Sequence, residues 1–226
     1  MSTDSSIWYF ENVDLFNLLC PHKVAGMSDN HVMNRIKKNE FIYFPNDIPQ
    51  HIFMIAEGRV KIGSYTADGK EIIKAILGTG EIFGELALTG EERRNDFAQA
   101  LDHDTIICPM SLQEMKDMMS QNKPLSFKVL KLIGLRLRKV ERRLEALVFK
   151  DARTRVAEFL KDEAAERGKK VGFETMIPNH YTHKDIASLT GTSRQTVTTI
   201  LNDLRDKNII NFDRRKILIR DLEKVK

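Results

Sequence analysis

Cysteine is scarce in this 226-residue chain, with Cys20 and Cys108 the only two. Two thiols so far apart exclude a disulfide framework and a four-thiolate metal site, and both read as reduced, semi-buried core residues. Six histidines include one close pair, His180 and His183, with no Cys or carboxylate ligand at metal-site spacing, so no metal site is expected. No run of about 18 apolar residues is present, which leaves no helical membrane span. The first residues, Met1 to Ile7, lack the basic start and apolar core of a secretory signal, an expectation that places the protein in the cytoplasm. An enzyme built on a metal-binding β-barrel needs clustered inward His and Glu ligands, yet Glu40 to Cys108 holds only His51 and His103. A nucleophile with its base and a phosphate-cradling glycine loop that opens a helix are also missing. The expectation is a protein that is not an enzyme.

What is present describes an ordinary globular chain, 42% hydrophobic and 30% charged, long enough for two domains that each bury a core. The net charge of +4 is unevenly spread. Lys150 to Lys226 carries 17 Lys and Arg against 12 Asp and Glu, while the rest carries 19 against 20. A basic C-terminal part is the polarity expected of a surface that meets phosphate.

Between Glu40 and Cys108 run short alternating or β-branched segments: Phe41 to Phe44, Ile52 to Ile55, Arg59 to Tyr65, Glu71 to Leu77, Phe97 to Ala100 and Thr105 to Cys108. Their spacing and glycine-bearing turns predict a small antiparallel barrel or sandwich, with Asp68 and Gly69 at a hairpin. Val13 to Lys38, before it, reads as short helices. The period then becomes helical, with a short helix over Ser111 to Met119 and a long one that Pro124 suits as a start. Along that helix Leu130, Ile133, Leu137, Val140, Leu144 and Leu147 recur at steps of three and four, a seam that predicts a parallel homodimer. Lys150 and Asp151 break the seam, and Asp151 can cap a further helix that runs to Arg167. Val171 to Ile177 reads as extended. Domains are expected over 1–123, 124–149 and 150–226.

The most specific stretch runs from Thr182 to Leu201. Ala187 supplies the small residue needed where two steeply crossing helices touch, and Gly191, four residues on, suits the tight turn between them. Ile186, Val197 and Ile200 bury one face of both helices. Ser193 can cap the second, which leaves Arg194, Gln195, Thr198 and Thr199 near its exposed start. Such a start enters the major groove, where Arg pairs bidentately with guanine and Gln with adenine. Thr182, Thr192 and Thr196 are placed to hydrogen bond phosphates. Asn208 to Phe212 and Lys216 to Ile219 form a two-stranded wing whose tip carries Arg214 and Arg215 for the DNA backbone.

A glycine-punctuated β-roll, a long dimerising helix and a winged helix-turn-helix, in that order, resemble the Crp/Fnr family, relatives of the cyclic-AMP receptor protein. The resemblance shows in Ile52 to Val60, in Gly80 to Leu88 and in Thr192 to Val197, and covers about Phe10 to Asp221. It implies an α+β fold: an N-terminal antiparallel β-roll of jelly-roll type with flanking helices, a long dimerisation helix and a C-terminal winged helix-turn-helix domain. It further implies a dimeric, sequence-specific transcription regulator with double-stranded DNA, a second copy of itself, RNA polymerase and a small-molecule effector as partners. An effector in the β-roll would act through a hinge at Val148 to Asp151. A nucleotide-binding regulatory subunit of another protein is the alternative use of such a β-roll, and the helix-turn-helix argues against it.

In the family's cyclic-AMP binders a Gly-Glu-Leu segment and a later Arg-Ser pair hold the ribose and cyclic phosphate. Gly84, Glu85, Leu86 and Arg94 match, whereas Asn95 replaces the serine and Asp96 adds a carboxylate that opposes an anion. Val140 and Glu141 stand where Thr and Ser would bond adenine, and a site that lacks a designed polar contact discriminates poorly. These departures predict that cyclic AMP is not the effector, or a weak one. Two cysteines are too few for the family's iron-sulfur branch. Haem ligation by His22, His31, His51, His103 or Cys108 stays open.

Overall fold

Alternation between Glu40 and Cys108 becomes two facing antiparallel sheets in the computed structural model, which describes residues 33–178, 181–213 and 216–226. The first sheet takes the order β1 (Asn34–Ile36), β8 (Thr105–Ser111), β3 (His51–Glu57), β6 (Ile82–Phe83). The second takes the order β2 (Phe41–Tyr43), β7 (Phe97–Ala100), β4 (Val60–Tyr65), β5 (Glu71–Leu77). Successive side chains of a strand point to opposite faces, so β3 serves two cores at once. Ile55 joins Val60, Phe83, Ala98 and Ile107 between the sheets. Ile52 and Met54 face the other way, with Cys108 and Met110 of β8, against helices α1 (Leu112–Gln121) and α2 (Lys123–Phe149). The β3–β8 register, Met54 opposite Cys108, brings residues of like orientation side by side.

Ser111 stands one residue outside α1, where its hydroxyl accepts the Glu114 N–H while the Glu114 carboxylate accepts the Ser111 N–H. That reciprocal pair satisfies two orphan donors and sets the chain's change from strand to helix. Leu125 and Val129 anchor the start of α2 in the β-roll core, and Ile133 packs against the same cluster. The helical reading of residues 13–38 fails where it can be examined: Asn34–Ile36 is a strand paired with β8, whose edge it covers, and the earlier part lies outside the described residues.

Two compact units divide the chain between Ile133 and Gly134, inside α2. In the second, α3 (Ala152–Arg167) follows Asp151, whose carboxylate accepts the Thr154 N–H at 2.7 Å as expected of an N-cap. A sheet of order β11 (Ile210–Phe212), β12 (Lys216–Ile219), β10 (Glu174–Pro178), β9 (Lys169–Val171) packs with α3, α4 (His183–Thr190) and α5 (Arg194–Asp206). The extended reading of Val171 to Ile177 resolves into a hairpin that turns at Gly172. Val156, Leu160, Ile177, Ile186, Val197, Leu201, Leu204, Ile217 and Ile219 are almost wholly buried. Each contributes roughly 1.5–3 kcal/mol by leaving water.

Candidate DNA interface and effector pocket

Helices α4 and α5 are built as a helix-turn-helix from local chemistry. Thr182 caps α4 in a reciprocal pair with Asp185, and Ser193 caps α5 by accepting the Thr196 N–H at 3.0 Å. Between them Gly191 takes φ 62°, a conformation that costs a side chain, and a Cβ there would lie 2.3 Å from Leu147 Cδ2. Ala187, Ile186, Val197 and Ile200 close the contact between the helices. This core leaves Ser193, Arg194, Gln195 and Thr199 exposed on the start of α5. The side chains of Arg194 and Gln195 make no hydrogen bond or ion pair among the described residues, so their donors face outward unspent.

The threonines are used differently. Thr182 bonds Asp185, and Thr196 shares a hydrogen bond with Ser193. Thr198 donates to the Arg194 carbonyl at 2.9 Å, so its oxygen is left to accept from His183 Nδ1 at 2.8 Å. His183 also meets the ring of Phe212 edge-on at 6.0 Å, which ties α4, α5 and the wing together. Burial, and next the charge of Arg194, hold the His183 imidazole below its ordinary pKa. Thr192 is half-buried in the turn, and its N–H bonds the Ala187 carbonyl. Arg214 and Arg215 lie outside the described residues.

One residue that sequence reading passed over holds this element in place. Arg155 of α3 donates from Nε to the Thr190 carbonyl at 2.7 Å, from Nη2 to the Gly191 carbonyl at 3.0 Å and from Nη1 to the Lys150 carbonyl at 2.6 Å. A single guanidinium thus satisfies carbonyls at the ends of α4 and α2, where helices leave acceptors unpaired and carry partial negative charge. A basic residue one turn into a helix, next to the expected hinge, was the only sequence signal for it. Lys139 reaches Glu166 at 3.0 Å as a second link from α2 to α3.

In the β-roll, Gly84 takes φ 76° before a 3-10 turn over Glu85–Thr89. Arg94 is 3% exposed and donates to the Gly84 carbonyl at 3.0 Å and the His51 carbonyl at 2.6 Å, with its guanidinium 4.6 Å from the Tyr43 ring centre. Asp96 is buried, accepts the Tyr43 hydroxyl at 3.1 Å and lies 3.4 Å from Lys74. Burial and then the Asp96 charge push the Tyr43 phenol far above its usual range, which keeps it a donor. Glu85 is buried, whereas Leu86 and Asn95 are exposed. The structure therefore brings Arg94 against Gly84, next to Glu85 in the chain. Val140 and Glu141 belong to the second unit, on the exposed surface of α2.

Of the residues open to haem ligation, Cys108 is packed among Ile52, Met54 and Met110, and His51 and His103 are exposed. His22 and His31 lie outside the described residues. No described helix is long and apolar enough to cross a membrane.

Residues 33–122 match the model of a cyclic nucleotide-binding domain, and residues 154–226 that of a Crp-like helix-turn-helix domain. The chain belongs to the Crp/Fnr family of transcription regulators. Among similar Crp/Fnr proteins, a cyclic AMP receptor protein of Thermus thermophilus is 27% identical over 208 residues, covering 92% of each chain. A global nitrogen regulator of Nostoc sp. is 26% identical over 189 residues, 83% of this chain and 85% of that one. The solved structure of a CooA variant from Carboxydothermus hydrogenoformans superposes with a TM-score of 0.77 at 28% identity, covering 92% of this chain and 93% of that one. Crp/Fnr relatives at nearly equal identity carry names that refer to cyclic AMP and to nitrogen, so likeness across the whole chain does not select a ligand.

Proposed function

We propose that this DNA-binding regulator acts as a homodimer that reads a two-fold symmetric site with the first turn of α5, and that a ligand in the β-roll modulates its affinity. The observation that carries the DNA assignment is the outward, uncommitted pair Arg194 and Gln195 at the start of a capped helix whose other face is buried. Arg194 and Gln195, with Thr199, read base edges. Ser193, Thr192 and Thr182 lie at the helix starts, where phosphates are held, and Thr196 and Thr198 fix the geometry of the reading turn. Arg214 and Arg215 follow the backbone from the wing.

Leu130, Leu137, Val140, Leu144 and Leu147 support the dimer, since all are between 51% and 65% exposed in a single chain. An apolar stripe at this spacing on a soluble helix calls for a partner helix. Gly84, Glu85, Leu86, Arg94 and Asn95 form the effector pocket. The protein acts in the cytoplasm by contacting RNA polymerase rather than by catalysis. Selection of bound sequences from a random duplex pool, followed by fluorescence anisotropy on the winner, tests the reading. A two-fold symmetric consensus is expected, and an asymmetric one or none would overturn it.

A further inference from the structure

Arg94 is a buried cation of the β-roll, and the chain already provides it with an anion. Glu91, three residues away, places Oε2 at 3.3 Å from Arg94 Nη1, while its Oε1 accepts the Asn95 N–H at 3.3 Å. Both side chains are nearly inaccessible, 3% exposed for Arg94 and 7% for Glu91. The guanidinium has little freedom to leave. Two carbonyls take its terminal nitrogens, Tyr43 lies under its face, and a Cβ on Gly84 would come within 3.1 Å of both nitrogens.

A buried guanidinium beside a backbone N–H is a seat for two oxygens of one anion, whether phosphate or carboxylate. Here the Glu91 carboxylate spans that seat. We propose that Glu91 is a built-in anionic ligand of the β-roll pocket and the residue that sets its ligand class, closing it to phosphate-bearing molecules while Glu91 is in place. This rests on the reading of that pocket as an effector site.

The distances show what kind of closure this is. Charge-assisted contacts of a committed pair fall near 2.7–2.9 Å, and both Glu91 contacts are longer. Glu91 also follows Gly90, which takes φ 91° and has open space where a side chain would begin. Glu91 therefore competes for the seat rather than being welded into it. Because the competitor is part of the chain, its effective concentration is high and does not dilute. An outside anion binds only in the fraction of molecules from which Glu91 has withdrawn, and its apparent affinity falls by that fraction. A neutral ligand that needs only the apolar and carbonyl surfaces of the pocket is not penalised.

Isothermal titration of the full-length protein with cyclic AMP and, separately, inorganic phosphate tests this on wild type, Glu91→Gln and Glu91→Asp, with thermal melts as the folding control. Gln keeps the size and loses the charge; Asp keeps the charge and loses the reach. Wild type should bind neither probe below millimolar concentration. At least one probe should bind Glu91→Gln tighter by about ten-fold or more, with Glu91→Asp gaining less. Wild type binding cyclic AMP at low micromolar concentration with no gain in Glu91→Gln would overturn the proposal, as would two folded variants that gain nothing. DNA anisotropy separates this from the effector reading. If Glu91→Gln gains ligand but its DNA affinity ignores that ligand, the role of Glu91 stands and effector control falls; if no variant gains ligand, the role of Glu91 falls and control by a neutral ligand is left standing.

Discussion

Arg194 and His183 sit 11 residues apart in sequence, and the charge of Arg194 acts on His183 in the folded element, yet they serve different ends. Arg194 has donors to spend on a base. Truncation to Ala should weaken specific binding by about 1–3 kcal/mol and relax preference at one base pair per half-site, measured by site selection; an unchanged consensus would remove Arg194 from the reading set. Burial, and next the charge of Arg194, set the folded pKa of His183 below the unfolded value of about 6.5. The unfolded chain then binds more protons, so stability from this group is present above that pH and is lost as pH falls through the lower folded pKa. Chemical denaturation between pH 7.5 and 5.5 should show the DNA-binding unit weakening, and His183→Asn should flatten that dependence. Ser193, Arg194 and Gln195 were legible because capping and first-turn exposure are local properties. The bond from His183 to Thr198 and the reach of Arg155 to Thr190 were not, because long-range side-chain pairings leave no periodic trace.

At the scale of elements, α2 and the turn at Gly191 carry the sharpest expectations. Leu137→Glu would place an unpaired charge in the dimer seam, where such burial costs several kcal/mol. Sedimentation should show monomers at concentrations where the parent is dimeric, with specific DNA affinity falling alongside. A parent already monomeric at micromolar concentration would remove the seam. Gly191→Ala adds strain at φ 62° and crowds Leu147, so thermal unfolding of the variant should report a loss of about 1–3 kcal/mol. The turn could be read in advance because Ala187 and Gly191 repeat a known spacing. Asn34–Ile36 and Ile82–Phe83 could not, since two or three residues are too few to display alternation and their strand character comes from the neighbour they pair with. Glu91 escaped notice for a related reason: a glutamate after a glycine looks like any solvated turn until the fold brings Arg94 over it.

For the molecule as a whole, the proposed pairing through the α2 seam would relate two reading helices by a dyad, with the basic surplus of Lys150 to Lys226 beside them. Half-sites about one helical turn apart should therefore bind best, and inserting about half a turn between them should abolish specific binding in a competition assay while leaving non-specific binding intact. Arg155 gives this assembly a further property, one of local opening. One guanidinium holds the Lys150, Thr190 and Gly191 carbonyls, which couples the last turn of α2 to the helix-turn-helix bend. Their amide hydrogens should exchange as a single cooperative patch. The Lys150 and Thr192 amides, whose acceptors are the Ala146 and Ala187 carbonyls, would then share one protection factor. In Arg155→Lys, where a point charge cannot fork to three acceptors, the two amides should exchange at unrelated rates.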